Sequence, residues 1–148
     1  MKNIKIEKIK MEENEKVAYV KVEKAMFQIA EIRGIAFTIN DKEITEACDY
    51  LSDISPVFLL SIKAYFEEYG KVDYDDCDRL ADVANCHEAF TTTLSEISKF
   101  AAYGYKKTLD EIFKNMEVLH SEHMICNAYE RIFKLSRLAE EEIREITI

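Results

Sequence analysis

A chain of 148 residues, 48% hydrophobic and 33% charged, is long enough to bury one sizeable core and too short for two ordinary domains, so one domain over 1–148 is expected. Three glycines, one proline and no tryptophan supply few turn or bulge residues, which disfavours a many-stranded fold and points to an all-α protein. A net charge of −9 and a pI near 4.9 disfavour direct nucleic-acid binding, which depends on clustered Lys and Arg, and favour a basic partner.

The four cysteines, Cys48, Cys77, Cys86 and Cys126, form no CxxC pair, so free thiols in the cytoplasm are expected. The basic N-terminus MKNIKIEKIK is followed by no apolar core of a signal peptide. No uncharged run of the length needed to span a membrane occurs.

In chain order, residues 1–11 alternate apolar and charged residues and read as a short strand or extended arm, with helices over 12–148. Ala18, Val22, Ala25, Ile29 and Ile32 recur at steps of four and three, one face of a helix that Gly34 is expected to close. Asn40 with Glu43 has capping-box spacing and predicts a helix over 41–53. Ser55-Pro56 reads as a second start, with a helix over 56–69. Its run VFLLSIKAYF is apolar nearly all round, which predicts the most buried helix of the domain.

Gly70 reads as the next turn and Asp73 as the next helix start. The third segment, over 74–102, carries Leu80, Val83, His87, Phe90, Leu94, Ile97 and Ala101 in a three-four seam. Gly104 is expected to end it, and Thr108 with Glu111 to open the last segment over 108–147. That segment carries Leu109, Ile112, Met116, Leu119, His123 and Cys126, then shifts phase to Ala128, Ile132, Leu135 and Leu138, as if its neighbour changes. The sum is an antiparallel bundle of four to five helices.

A reversal at Gly104 would set His87 and His123 at equal depth, about 22 Å from the loop at 1.5 Å per residue, with His120 one turn away. Three histidines near Cys86, Glu88, Glu117, Glu122 and Cys126 could hold a transition metal such as Zn or Fe. Glu117 to His120 resembles the Glu-x-x-His of ferritin-like di-iron bundles, but Ala84 stands where the second motif needs its acid. The competing reading is a polar layer of packed neutral rings that fixes helix register, and acid through pH 6 would then loosen the bundle.

The stretches EITEACDYLSD and DYDDCDRLAD resemble the acidic helices of all-α nucleotide pyrophosphohydrolases, which imply magnesium, yet Arg79 stands three residues before Asp82 where that pattern has an acid. First-turn acids on a solvated face account for them as well. AYGYKK places Tyr103 and Tyr105 at a predicted turn where they could stack on a partner. Glu140, Glu141 and Glu142 near the negative end of the last helix break a local rule without visible compensation, a hint of a partner.

No nucleophile triad, phosphate-cradling loop or HExxH motif occurs, and the balance is against an enzyme. The leading expectation is a small acidic protein-interaction or inhibitory module, a homodimer in the cytoplasm. It would meet a basic protein through Asp73, Asp75, Asp76, Tyr103 and Tyr105. In charge and size it resembles phage-encoded inhibitors that compete with nucleic acid. The alternative is a metal-binding bundle, oxidase-like or hydrolytic, with His87, His120 and His123 as ligands.

Overall fold

The computed structural model describes residues 2–69, 78–115 and 120–146. The described residues form four helices: α1 (Lys2–Thr38), α2 (Lys42–Tyr69), α3 (Asp78–Asn115) and α4 (His120–Arg144). No strand occurs among the described residues. Each helix packs on two others, α1 on α2 and α4, and α3 on α2 and α4.

The pairs run antiparallel. On α1 and α2, Arg33 meets Asp49 near the connection, and Tyr19 donates to the Leu59 carbonyl at 3.0 Å farther from it. On α2 and α3, Phe58 and Phe90 meet with ring centroids 5.1 Å apart, a contact worth about 0.5–1.5 kcal/mol beyond the area it buries. On α3 and α4, the Ser98 and Ser136 hydroxyls share a hydrogen bond of 2.7 Å. The circuit closes where Lys21 of α1 reaches Glu142 at 3.4 Å and Arg131 of α4 pairs with Glu31. The buried residues of all four helices form one cluster, with Phe58, Phe90, Ile29, Leu94, Ile132 and Ile143 among its largest members.

Helix α1 begins at Lys2, so residues 2–11 are helical where a strand or arm over 1–11 was expected. Lys, Glu, Ile and Met tolerate a helix well and ENEK has no turn chemistry, so nothing stops the helix from continuing. Gly34 does not end it either, being an exposed position within α1. The end comes at Asn40, whose φ of 58° is left-handed. Asp41 N–H donates to the Ala36 carbonyl at 2.9 Å and Asn40 N–H to Phe37 at 3.2 Å, the paired bonds of a Schellman cap. The cap of α2 is Asp41, one residue after the expected Asn40, and its Oδ1 accepts from Ile44 N–H at 3.0 Å.

Pro56 lies inside α2 and does not split it. Proline removes the donor that the Ser52 carbonyl would use, but Ser52 is exposed and water can serve it. Ser55, fully inside, turns its hydroxyl back to the Leu51 carbonyl at 2.6 Å. The expected burial of VFLLSIKAYF fails on one side: Val57 is 53% and Leu60 65% exposed while Phe58, Ile62 and Tyr65 are buried.

Gly104 also lies within a helix, and α3 runs on to Asn115. A β-carbon there would fall within 3.0 Å of the Tyr129 ring, so glycine serves a close approach rather than a turn. Thr108 starts nothing; its hydroxyl bonds the Gly104 carbonyl at 2.8 Å. The expected turn at Gly70 and helix start at Asp73 lie outside the described residues.

Candidate functional site

With α3 unbroken through Gly104, the two described histidine side chains do not meet. His87 is half-buried and its Nε2 is bonded to the Ile143 carbonyl at 3.0 Å, at the far end of α4. His123 is exposed in the first turn of α4. The twenty residues separating His123 from Ile143 correspond to about 30 Å of helix at 1.5 Å per residue. The stacked-ring ground for acid sensitivity goes with the pair. His120 begins α4, and Glu117 lies outside the described residues. Among the described residues no group of three His, Cys, Asp or Glu side chains is placed to hold a metal ion.

Asp73, Asp75 and Asp76 lie outside the described residues, in the connection between α2 and α3. Tyr103 is 70% and Tyr105 38% exposed, on the helical surface of α3 instead of a turn. Two of the three glutamates have compensation after all: Arg144 bonds Glu140, and Lys21 bonds Glu142 as well as Glu145 just beyond the helix. Lys21 depresses the Glu145 carboxyl below its ordinary range, mainly through the hydrogen bond.

A solvent-open groove of about 600 Å³ runs between α2 and α3. Val57, Leu60, Ser61 and Ala64 form the α2 wall; Asp82, Asn85 and Cys86 form the α3 wall. The spacing follows from the helix: three, four and seven residues along α2 return to one side, so Val57, Leu60 and Ala64 make a stripe beside the buried seam. Tyr50, 49% exposed and seven residues before Val57, extends it. Among the described residues of the lining the one charged side chain is an acid, Asp82.

The Cys86 thiol on the groove wall is pushed up from its ordinary value, chiefly by burial, with Asp82 adding to the rise and a hydrogen bond with Ser61 opposing it. A thiol raised in this way stays protonated at neutral pH and is a poor nucleophile. The groove is therefore chemically suited to contact. Its signal in the sequence was VFLLSIKAYF itself: a stretch apolar on every side, packed against two neighbours, has apolar residues left over.

A second recess, about 350 Å³, lies between α3 and α4, lined by Ala101, Ala102, Tyr105, Tyr129, Glu130 and Phe133. Tyr129 is fixed there from two sides. Its ring lies on Gly104 and its hydroxyl donates to Asp41 Oδ2 at 2.7 Å. Burial first, then that hydrogen bond and the charges of Asp41 and Glu43, push the phenol well above its ordinary value.

No helix among the described residues is long and apolar enough to cross a membrane. The chain matches no protein-family model, no curated protein and no solved structure.

Proposed function

We propose that this chain is a small acidic interaction module that binds a basic protein through the face formed by α2 and α3. The observation that carries the reading is the open groove in which Val57 and Leu60, both more than half exposed, face Asp82 and Asn85. Exposed large aliphatics in a row are costly in water unless something covers them, and a contiguous patch with a polar rim is the usual mark of a docking surface.

Charge selects the partner. The end of α2, the start of α3 and the end of α4 share one end of the bundle, where Glu67, Asp82 and Glu141 stand beside the Glu140 to Arg144 pair and the Lys21 pairs with Glu142 and Glu145; the chain as a whole carries a net charge of −9. The α2 to α3 connection adds Asp73, Asp75 and Asp76 in sequence. A surface of this sign steers a Lys- and Arg-rich partner toward the groove and repels a second copy of itself. In its inhibitory form the module would hold a basic surface against nucleic acid. Cys48, Cys86 and Cys126 are free thiols, which suits a cytoplasmic setting.

The test is affinity capture from the native cell with the unaltered chain and with a Val57→Asp, Leu60→Asp variant. Both changed residues are exposed, so folding should survive, as circular dichroism would verify. Loss of a specific partner from the variant, and its release from the unaltered chain by salt, supports the reading. The same partners on both proteins would sink it.

A further inference from the structure

The recess between α3 and α4 is a second surface of different chemistry, about fifteen residues or 22 Å along α3 from the groove at 1.5 Å per residue. Among the described residues its lining combines three aromatic rings, two alanine methyls and one carboxylate. Aromatic faces carry negative quadrupole potential, and Glu130 adds a full charge at the rim. An anion would meet the ring faces and the Glu130 carboxylate, both unfavourable to it. A neutral apolar group would use the rings alone and leave Glu130 to Lys134. A cation uses both.

Two further observations favour a cation. The Tyr129 hydroxyl donates to the Asp41 carboxylate, and a phenol that donates to an anion has a more electron-rich ring. Phe133 already attracts a guanidinium: the Arg137 carbon lies 5.7 Å from its ring centroid. The Tyr129 wall is preorganised by Gly104 and Asp41, so a ligand need not order that ring. Glu130 pairs with Lys134 at 3.2 Å, one helical turn away, in an exposed bridge of the kind that exchanges readily. At about 350 Å³ the recess stands at the small end of ligand sites, which run from about 300 to 1,000 Å³, and suits one cationic head rather than a large cofactor.

We infer that the recess formed by Tyr105, Tyr129, Glu130 and Phe133 binds an organic cation, an alkylammonium or guanidinium group. The basic partner proposed above is one source of such a group, as a Lys or Arg side chain; a free small amine is the other. Only the first source rests on the proposed function.

The test is a nuclear magnetic resonance titration of the full chain with choline and, in parallel, with its neutral isostere 3,3-dimethylbutan-1-ol, at constant ionic strength. The expected result is saturable shifts at Ala101, Ala102 and Phe133, with choline at least fivefold tighter than the alcohol. Tyr105→Leu and Glu130→Gln, both at exposed positions, should each weaken choline at least threefold without altering the fold. Equal binding of the two probes, shifts centred elsewhere, or no saturable shift would overturn the inference. Butylammonium and butylguanidinium then rank the side-chain mimics. If the probes bind and Tyr105→Leu leaves partner capture unchanged, the source is a free amine. If the probes bind while the groove variant captures every partner, the proposed function fails and this inference stands.

Discussion

The ring of Tyr129 occupies the space that a β-carbon on Gly104 would take. This contact joins α4 to the middle of α3, and the same side chain continues to Asp41, the cap of α2. One glycine thus permits a junction of three helices.

The two helical glycines should therefore respond oppositely to alanine. Gly104→Ala gains helix propensity but pushes into the Tyr129 ring, and a net loss of about 1–3 kcal/mol is expected, as for other overpacked sites. Gly34 has nothing within 4 Å of an added β-carbon. Gly34→Ala should raise stability by about 0.5–1 kcal/mol. Urea denaturation of both variants decides it; changes of the same sign would contradict the close-approach account.

Alkaline stability tests the Tyr129 to Asp41 bond. A group whose folded value is raised favours its protonated form in the fold, so its contribution is complete below the unfolded value and is lost as pH rises through the folded one. Burial pushes Cys48 from 9.0 up to about 12, and burial with the Asp41 bond raises Tyr129 from 10.0. Stability should begin to fall above pH 9 and fall more steeply above pH 10. Tyr129→Phe should cost about 0.5–1.5 kcal/mol at pH 7, the net worth of one hydrogen bond, and flatten the part above pH 10. An unchanged slope in the Phe variant would show that the phenol is not protected.

Ser98 and Ser136 lie within bonding distance of each other inside the α3 and α4 seam; one hydroxyl donates to the other, which is free to donate to the carbonyl of its own helix, Leu94 or Phe133. Replacing one should cost about 0.5–1.5 kcal/mol, because its partner hydroxyl is left buried with one bond fewer. Replacing both with alanine should cost less than the sum of the singles. A double-mutant cycle measured by denaturation reads the coupling directly, and strict additivity would show that the bond contributes nothing.

Pro56→Ala restores a donor for the exposed Ser52 carbonyl and removes the ring clash within α2. Offset by the greater freedom of the unfolded chain, the expected gain is about 1–2 kcal/mol. A loss on calorimetry would mean that the packing around Phe58 requires the proline ring.

The core stripes were legible because burial repeats with the helix: Ala18, Val22, Ala25, Ile29 and Ile32 are all buried, as are Val83, Phe90, Leu94, Ile97 and Ala101. The helix limits were not. Glycine is consistent both with a left-handed cap and with a tight crossing, and only the ring of Tyr129, distant in sequence, decides between them at Gly104. Asn40 took the left-handed position, and its one-residue offset from Asp41 moved the cap. The error at Gly104 propagated to the histidines: with the reversal between Asn115 and His120, His87 aligns with Ile143 rather than with His123. The phase shift read between Cys126 and Ala128 falls inside α4, while the change of helix comes earlier, between Asn115 and His120. The α2 groove was hidden in an apolar run whose surplus only becomes visible once its neighbours are counted.

The closing of α4 against α1, through Lys21 with Glu142 and Arg131 with Glu31, makes the four helices a ring in which every member has two flanks covered. No helix can peel away without uncovering two others, so partial unfolding gains little over complete unfolding. Amide hydrogens of Ile29, Phe58, Leu94 and Ile132 should then exchange at a common slow rate, through one global opening.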